Sequence, residues 1–274
     1  MTINKKFDRV VAIDLGNGLV NVRSVYSDGS PYSFTLPSAF AESKEVGSSV
    51  GGVGAKYDVQ TFNVDGTEYV WGKDISKLSN LTHTASASIG RYKTKNYRTL
   101  IKLILGKVAK DIGISQSEQI FVSTGVPSNQ TSEEVANLLK DAFYGDSDKY
   151  KGLFKLTVDD QEVIINVGYV NVTSQPLATV FSYYLDVDGS TLDDELTEKT
   201  IAVIDIGGGT TDFDTLKNFN RLDYSSEPFG FRNVYHAVRK EIEKGNSGRK
   251  IDVNDYEILE IIQNAEVAAK ENNI

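Results

Sequence analysis

Apolar runs along this chain alternate with glycine-rich turns, and two of these runs share one plan. Residues 10–23 have the sequence VVAIDLGNGLVNVR, and residues 201–213 have the sequence IAVIDIGGGTTDF. Each begins with an apolar stretch, reaches an aspartate and continues into glycines. An apolar run closed by glycines is typical of a buried strand that ends in a tight turn. The Asn-Gly pair of the first run predicts a β-hairpin with a type I′ turn.

The residues around these turns suit a phosphate chain and its cation. Glycines let main-chain N–H groups approach an anion closely because no Cβ stands in the way. The hydroxyls of Thr210 and Thr211 add donors, and the Asp205 carboxylate can hold a hydrated cation. A glycine-rich hairpin without a ligand is the alternative for either run alone. Two such runs favour two similar half-domains that face one nucleotide across a cleft.

The remaining pattern predicts a mixed α/β chain. Hairpins are expected over residues 57–71, around Asp65-Gly66, and over residues 153–172. Helical spacing predicts helices over residues 96–112, 233–244 and 253–270. Thr131 and Glu134 form a predicted capping box that opens a further helix. Ser174 is expected to cap a helix with Gln175 and Pro176 in its first turn.

Composition narrows the class of protein. The chain has 274 residues, is 40% hydrophobic and contains 14 Tyr and 12 Phe, so it can bury a core. Its net charge of -9 argues against a broad basic face for nucleic acid. It has no cysteine, its start lacks the apolar region of a signal peptide, and it contains no long apolar run. We therefore expect a cytoplasmic protein without a membrane helix.

The two glycine runs resemble the phosphate-1 and phosphate-2 motifs of the actin, Hsp70 and sugar-kinase superfamily. The likeness is greatest to the plasmid-segregating bacterial actins, of ParM type and more narrowly AlfA type. The resemblance implies an actin-like, ribonuclease H-like two-domain α/β fold. Residues 1–172 would form domain I, with a small inserted subdomain at about residues 31–95. Residues 173–274 would form a reduced domain II with its fourth subdomain absent or truncated.

The resemblance also assigns roles to residues of the two runs. Asp14 and Asp205 would hold Mg²⁺, mostly through water. In the family, the helix that connects the domains begins with a polar residue that orients the attacking water, and Gln175 matches it. By its position alone, without the resemblance, Gln175 is expected to be an ordinary exposed residue in a first turn. The implied catalytic residues are Gln175 and Asp205, and the implied nucleotide-binding residues are Asp14, Gly16, Asn17, Gly18, Asn21, Arg23, Gly207, Gly208, Gly209, Thr210, Thr211 and Asp212.

The chain departs from the family pattern in three places. The phosphate-contacting lysine of the first motif is replaced by Asn21, and Arg23, on the same strand face, is a possible substitute. About 60 residues follow the second motif, which is short for a full second domain. No Gly-Gly adenosine loop is visible, so ATP is the expected nucleotide from the family alone, and GTP stays open.

The implied function is a nucleotide-dependent polymerising ATPase. Its filaments would segregate plasmid DNA through a DNA-bound adaptor, so the chain itself would touch neither nucleic acid nor membrane. The alternative is a small-molecule, sugar-type kinase of the same superfamily, although sugar kinases are generally longer. A nucleotide-sensing chaperone-like or cell-shape module is the third possibility. It would need a substrate-binding domain or a membrane-binding segment, and the sequence shows neither.

Four further features carry weaker expectations. Residues 37–56, rich in Ser and Gly, form either a polymer-contact loop or a plain linker. The basic run at Arg91, Lys93, Lys95 and Arg98 is either a contact for an acidic neighbour or a solvated helix start. The acidic segment 186–198 lacks the full calcium-loop spacing and is expected to be a solvated loop. His83 and His236 are expected to be structural because they lack partner spacing.

Overall fold

The structure is a computed structural model that describes residues 7–45, 57–78, 80–84, 88–145, 151–186, 190–246, 248, 250 and 253–271. These residues form two β-sheets with helices packed against them. The larger sheet contains β1 (Arg9–Leu15), β2 (Leu19–Val25), β3 (Pro31–Pro37), β4 (Ala39–Glu42), β5 (Val59–Val64), β6 (Thr67–Gly72), β7 (Thr82–His83), β8 (Ile120–Val126), β9 (Leu153–Val158) and β10 (Gln161–Ser174). The smaller sheet contains β11 (Thr200–Ile206), β12 (Thr211–Lys217) and β13 (Asn220–Glu227). The helices are α1 (Lys95–Asp111), α2 (Glu133–Tyr144), α3 (Gln175–Tyr184), α4 (Phe231–Gly245) and α5 (Asp255–Glu271).

The larger sheet has the strand order β3-β2-β1-β8-β10-β9-β5-β6-β4-β7. Strand β1 pairs antiparallel with β2 and parallel with β8, which in turn pairs parallel with β10. The second part of β10 pairs with β8, and its first part forms a hairpin with β9. This long strand therefore joins the β1–β8 region to the strands inserted between β3 and α1.

Helix α1 packs on this sheet through the stripe that the sequence predicts. Leu100, Leu103, Ile104 and Val108 are fully buried in the main core cluster. Thr94 begins the helix, because its hydroxyl accepts the Tyr97 amide. Residues spaced three and four apart thus place one continuous apolar face on the sheet.

Helix α2 begins one residue later than the predicted capping box. The N-cap is Ser132, whose Oγ accepts the Val135 amide at 3.3 Å. Thr131 instead contacts the Arg221 guanidinium through its hydroxyl. The prediction that Thr131 caps the helix is wrong, because the adjacent serine satisfies the same orphan amide.

The predicted loop at residues 37–56 contains strand β4. Ala39, Phe40 and Ala41 are buried, and the strand pairs with β6 and β7. Three buried apolar residues in a row favour pairing with β6 and β7 over a loop. The rest of the predicted loop from residue 46 onward lies outside the described residues.

The smaller sheet is an antiparallel meander of three strands in the order β11-β12-β13. Helix α3 covers one of its faces, where Val180, Val203 and Leu216 form a small core. The other face is open: Ile204 is 62% and Ile206 is 53% exposed. The expectation of a buried strand here is wrong in part, since alternate residues of β11 point to solvent. The division into domains at residues 172 and 173, with an inserted subdomain at about 31–95, stays a prediction.

None of the helices in the described part of the chain combines the length and the hydropathy that a membrane crossing needs.

Candidate functional site

A cleft of about 750 Å³ lies between the two sheets. Residues of both halves line it, and the two glycine turns approach each other there. A Cβ built on Gly208 would lie 3.8 Å from the Gly18 amide nitrogen. The structure therefore brings the two glycine-rich motifs to one cleft, as expected if both bind the same ligand.

The first glycine turn joins β1 to β2 and is held from outside the hairpin. The Gly16 amide donates to the Leu19 carbonyl at 3.0 Å. Ser38 donates its amide to the Gly18 carbonyl and its hydroxyl to the Gly16 carbonyl, at 2.9 and 2.7 Å. The turn is not type I′, because neither Asn17 nor Gly18 has a positive φ. The bonds from Ser38 instead fix the turn.

The second glycine turn rests on the start of α4. The Gly207 amide donates to the Thr210 carbonyl at 2.8 Å, and the amides of Phe231 and Arg232 donate to the carbonyls of Gly207 and Gly208, both at 3.0 Å. A Cβ on Gly230 would lie 2.5 Å from the Gly207 carbonyl oxygen. Only glycine allows this approach. The sequence around Gly230 does not indicate this role, because the role depends on how the turn packs against α4.

Three aspartates stand beside the glycine turns. Asp14 is the next-to-last residue of β1, and Asp205 faces Asp212 across the β11–β12 pair. Burial raises the pKa of the Asp205 carboxyl above its ordinary value, and the neighbouring carboxylates, Asp14 foremost, add to the shift. Asp212 is 5% exposed, and its Oδ1 atom is buried without a hydrogen-bond partner. The cleft thus concentrates negative charge that a cation would compensate.

These carboxylates fit a hydrated Mg²⁺ ion better than a directly caged metal. Among the described residues, no group of three or more His, Cys, Asp or Glu side chains is placed to hold a metal ion. Mg²⁺ keeps several waters and is often bound through one or two carboxylates plus phosphate oxygens. The unsatisfied oxygen of Asp212 and the raised pKa of Asp205 are consistent with such a cation.

Gln175 lies at the cleft, at the start of α3. Its Nε2 atom donates to Asp14 Oδ1 at 2.9 Å. Gly125 makes room for it, since a Cβ there would lie 2.9 Å from Gln175 Cγ. The amide is therefore next to one of the predicted cation-binding carboxylates, where a bound water would be within reach.

The predicted binding residues line the cleft, with two exceptions. Those that line it are Asp14, Gly16, Asn17, Gly18, Asn21, Gln175, Asp205, Gly207, Gly208, Gly209, Thr210 and Asp212. Arg23 is exposed on β2 and is not among the lining residues. Thr211 is buried and donates its hydroxyl to the Phe229 carbonyl at 2.7 Å. These positions place Arg23 and Thr211 outside the cleft that they were predicted to serve.

Arg91 lines the cleft and was not predicted to do so. It belongs to the basic run, yet it is 8% exposed, and its Nη1 atom donates to Asn17 Oδ1 at 2.8 Å. The view of the whole run as a surface contact is therefore wrong for Arg91, although Lys93 and Lys95 are exposed. Nothing in the local sequence distinguishes Arg91 from its basic neighbours.

Contacts between the start of α5 and residues 76–83 of the inserted region border one end of the cleft. The ring of His83 stacks on Tyr256 with centroids 6.2 Å apart, and Asn254 Nδ2 donates to the Ser76 carbonyl at 2.7 Å. Burial lowers the pKa of His83, and the nearby Arg232 adds to that shift. Burial raises the pKa of Tyr256 to about 12. His83 has the structural contact expected of it, and it also lines the cleft.

A second contact joins the halves behind the cleft. The Ser128 hydroxyl, after β8, donates to the buried Asp214 carboxylate of β12. Arg221 of β13 donates to the Ser128 carbonyl at 2.5 Å and to Thr131 Oγ1 at 2.9 Å. These bonds thus link the end of β8 in the larger sheet to β12 and β13 of the smaller sheet.

The fold and the cleft define a class of two-part α/β proteins in which each part offers an aspartate and a glycine turn to one site. Residues 12–177 match the family model described as "Actin like proteins N terminal domain". That match covers more than half of the chain, so the chain belongs to the actin-like proteins. The expected actin-like fold class and the ParM-type resemblance are confirmed.

Three solved structures illustrate the likeness. The apo psk41 ParM protein matches with a TM-score of 0.70 at 23% identity, over 97% of this chain and 77% of that chain. The archaeal actin homologue Ta0583 in complex with ADP matches with a TM-score of 0.62 at 19% identity, over 90% of this chain and 68% of that chain. AlfA from the B. subtilis plasmid pLS32, in its filament, matches with a TM-score of 0.53 at 14% identity, over 94% of this chain and 88% of that chain. No protein of curated function matches the sequence.

Proposed function

We propose that this chain is a nucleotide-dependent, polymerising actin-like ATPase whose filaments segregate plasmid DNA. The observation that carries the proposal is the meeting of two aspartate–glycine turns across one cleft, with Gln175 bonded to Asp14. ATP is the proposed nucleotide, with GTP as the other candidate. The archaeal homologue bound to ADP supports a nucleotide in this kind of cleft.

The glycine turns would bind the phosphates through the main-chain amides at positions 17, 18, 208 and 209, since the amides of Gly16 and Gly207 donate within the turns and hold their shape. Thr210 and Asn17 add side-chain donors at the same place. A hydrated Mg²⁺ ion held by Asp14 and Asp205 would supply the positive charge that offsets the phosphate chain. Phosphoryl transfer depends mainly on such positioning and electrostatic stabilisation, so preformed turns are suited to it.

Gln175 would orient the attacking water. Its amide both donates and accepts, so it can hold a water without adding charge. The bond to Asp14 fixes the amide at the cation side of the cleft. Asp205, whose pKa is raised by burial, would help to polarise that water, and Asp212 would brace the second turn.

Self-association into a filament is supported by the AlfA filament among the similar structures. A filament forms when one heterologous contact repeats without closing. Because the nucleotide would lie between two halves, its hydrolysis can change their relative angle and weaken subunit contacts. The net charge of -9 fits a cytoplasmic polymer that reaches DNA through a separate adaptor protein.

Sedimentation and 90° light scattering with ATP–Mg²⁺, GTP–Mg²⁺ or no nucleotide, together with a phosphate-release assay, test the proposal. We expect assembly that needs nucleotide, followed by phosphate release. The Gln175→Ala variant should assemble but release phosphate about 100-fold more slowly. Ser182→Ala, an exposed change on the same helix, is the matched control. Nucleotide binding without assembly at any protein or salt concentration contradicts the filament and favours a small-molecule kinase.

A further inference from the structure

The carboxylates of the cleft would repel a negatively charged phosphate chain. Asp14, Asp205 and Asp212 stand at the glycine turns, and a nucleoside triphosphate adds several negative charges. Amides and one divalent ion offset part of this charge. Among the described residues that line the cleft, the arginines are Arg91 and Arg232, and no lysine is present.

Arg232 lies away from the first turn. Its side chain is about half exposed at the start of α4 and is 3.8 Å from the Asp255 carboxylate. Its backbone amide supports the second turn, but its guanidinium is directed to the α5 side of the cleft. Arg232 therefore leaves the first glycine turn without a positive charge.

Asn21 cannot supply that charge. It is neutral, and both ends of its amide are bonded: Nδ2 donates to Asp14 Oδ2 at 3.2 Å, and Oδ1 accepts the Thr35 hydroxyl at 2.8 Å. Its position serves to hold Asp14. Arg23, two residues further along β2, is exposed outside the cleft.

Arg91 is a buried cation at the tip of the first turn. One arm of its guanidinium donates to Asn17, and the other donates to Tyr92 Oη at 3.0 Å. The Tyr92 hydroxyl in turn donates to Gln130 Oε1 at 2.7 Å. The guanidinium carbon lies 4.9 Å from the centroid of the Tyr92 ring. These contacts hold the charge in one orientation, so little rotamer entropy remains to be lost when a ligand binds.

The structure assigns to Arg91 the role of phosphate-binding cation at the first glycine turn, in place of a lysine on the hairpin itself. This inference rests on the proposed nucleotide function of the cleft. Asn17, the residue that Arg91 contacts, is at the tip of that turn, so a phosphate bound by the turn amides would lie beside the guanidinium. A planar fork can keep one donor on Asn17 while another reaches a phosphate oxygen.

The test compares ligands that differ only in phosphate. The affinities of wild type and Arg91→Gln for ATP–Mg²⁺, ADP–Mg²⁺ and adenosine are measured by calorimetry, or with the guanosine series if the wild type prefers GTP. A charge-assisted hydrogen bond contributes about 1.5–3 kcal/mol, so we expect ATP affinity to fall about 10- to 100-fold. Adenosine affinity should be unchanged. Lys93→Gln, an exposed residue of the same short 3-10 helix (Ile89–Lys93), should bind all three as the wild type does.

Equal losses for ATP and adenosine, or no loss for either, would overturn the role of Arg91, because a merely structural residue does not distinguish ligands by phosphate. Circular dichroism without ligand checks that Arg91→Gln folds. If it does not, Arg91→Lys is measured instead: it keeps the charge but loses the fork, and ATP affinity should fall several-fold with adenosine unchanged. If the wild-type protein binds no nucleotide, the proposed function itself is refuted. If the wild type binds nucleotide and Arg91→Gln binds it equally well, only the role of Arg91 is refuted.

Discussion

The two halves of this protein present the same motif in different surroundings. Strand β1 is paired on both edges, and its residues Val11 and Ile13 are buried in the main core. In the described residues, β11 pairs only with β12, and Ile204 and Ile206 of its open face are exposed. Yet each strand carries an aspartate as its next-to-last residue and leads into a glycine turn at the same cleft. The geometry of the turns is therefore set by hydrogen bonds from outside each hairpin, from Ser38 to the first turn and from the start of α4 to the second, whereas stability depends on the packing around each strand.

The largest expected effect comes from a matched pair of truncations, one in each half. Leu103→Ala removes a fully buried side chain of α1 and should cost about 2–5 kcal/mol through lost transfer free energy and a cavity. Ile204→Ala removes a largely exposed side chain and should change stability by at most about 0.5 kcal/mol.

Urea denaturation followed by circular dichroism and Tyr fluorescence measures both variants. A similar loss in the free energy of unfolding for the two substitutions would show that the open face of β11 is covered in solution. It would contradict the difference in packing between the two halves.

Gly230→Ala tests how the second turn is held. The added Cβ would meet the Gly207 carbonyl oxygen at 2.5 Å, so the turn must shift, at a cost of about 1–3 kcal/mol. We expect nucleotide affinity to fall at least about tenfold, because displaced amides no longer fit a phosphate. Gly245→Ala, where a Cβ meets nothing within 4 Å, is the control. Calorimetric affinity that is equal in the two variants would contradict the support of this turn by α4.

Ser128→Ala tests the contact behind the cleft. It leaves the buried Asp214 carboxylate without the hydroxyl that donates to it, which should destabilise the chain by about 1–3 kcal/mol. Ser33→Ala, exposed on β3, is the control. Thermal unfolding monitored at two wavelengths measures the loss. If unfolding of Ser128→Ala matches the control, the bond does not join the halves in solution.

The smallest effect concerns pH and Asp205. Its pKa in the folded protein is raised, so the native state binds more protons than the unfolded state above pH 3.8, and stability falls as the pH rises through the raised pKa. Asp205→Asn should flatten that dependence without ligand, while it weakens Mg²⁺–nucleotide binding at neutral pH. Chemical denaturation between pH 4 and pH 8 checks the slope. An identical slope in the variant would remove Asp205 as its source.

The sequence pattern predicted the features that depend on residues close to one another in the chain. The apolar spacing of α1 and the two aspartate–glycine turns follow from neighbouring residues, and both were placed correctly. Exposure of Ile204 could not be predicted, because an apolar residue on a strand does not reveal whether a second layer covers it. Arg91 and Gly230 act on residues distant in sequence, Asn17 and Gly207, so no local signal marks them. The turn type was mispredicted because Ser38, outside the hairpin, fixes its carbonyls.

The contacts between the start of α5 and residues 76–83 have a kinetic consequence. Any motion that widens the cleft at that end must break the Asn254–Ser76 hydrogen bond and separate the rings of His83 and Tyr256. For a ligand that leaves by this route, the free energy of that separation is part of the activation barrier. The residence time of the ligand would then depend partly on this hydrogen bond and this ring contact, which are separate from the glycine turns that bind it.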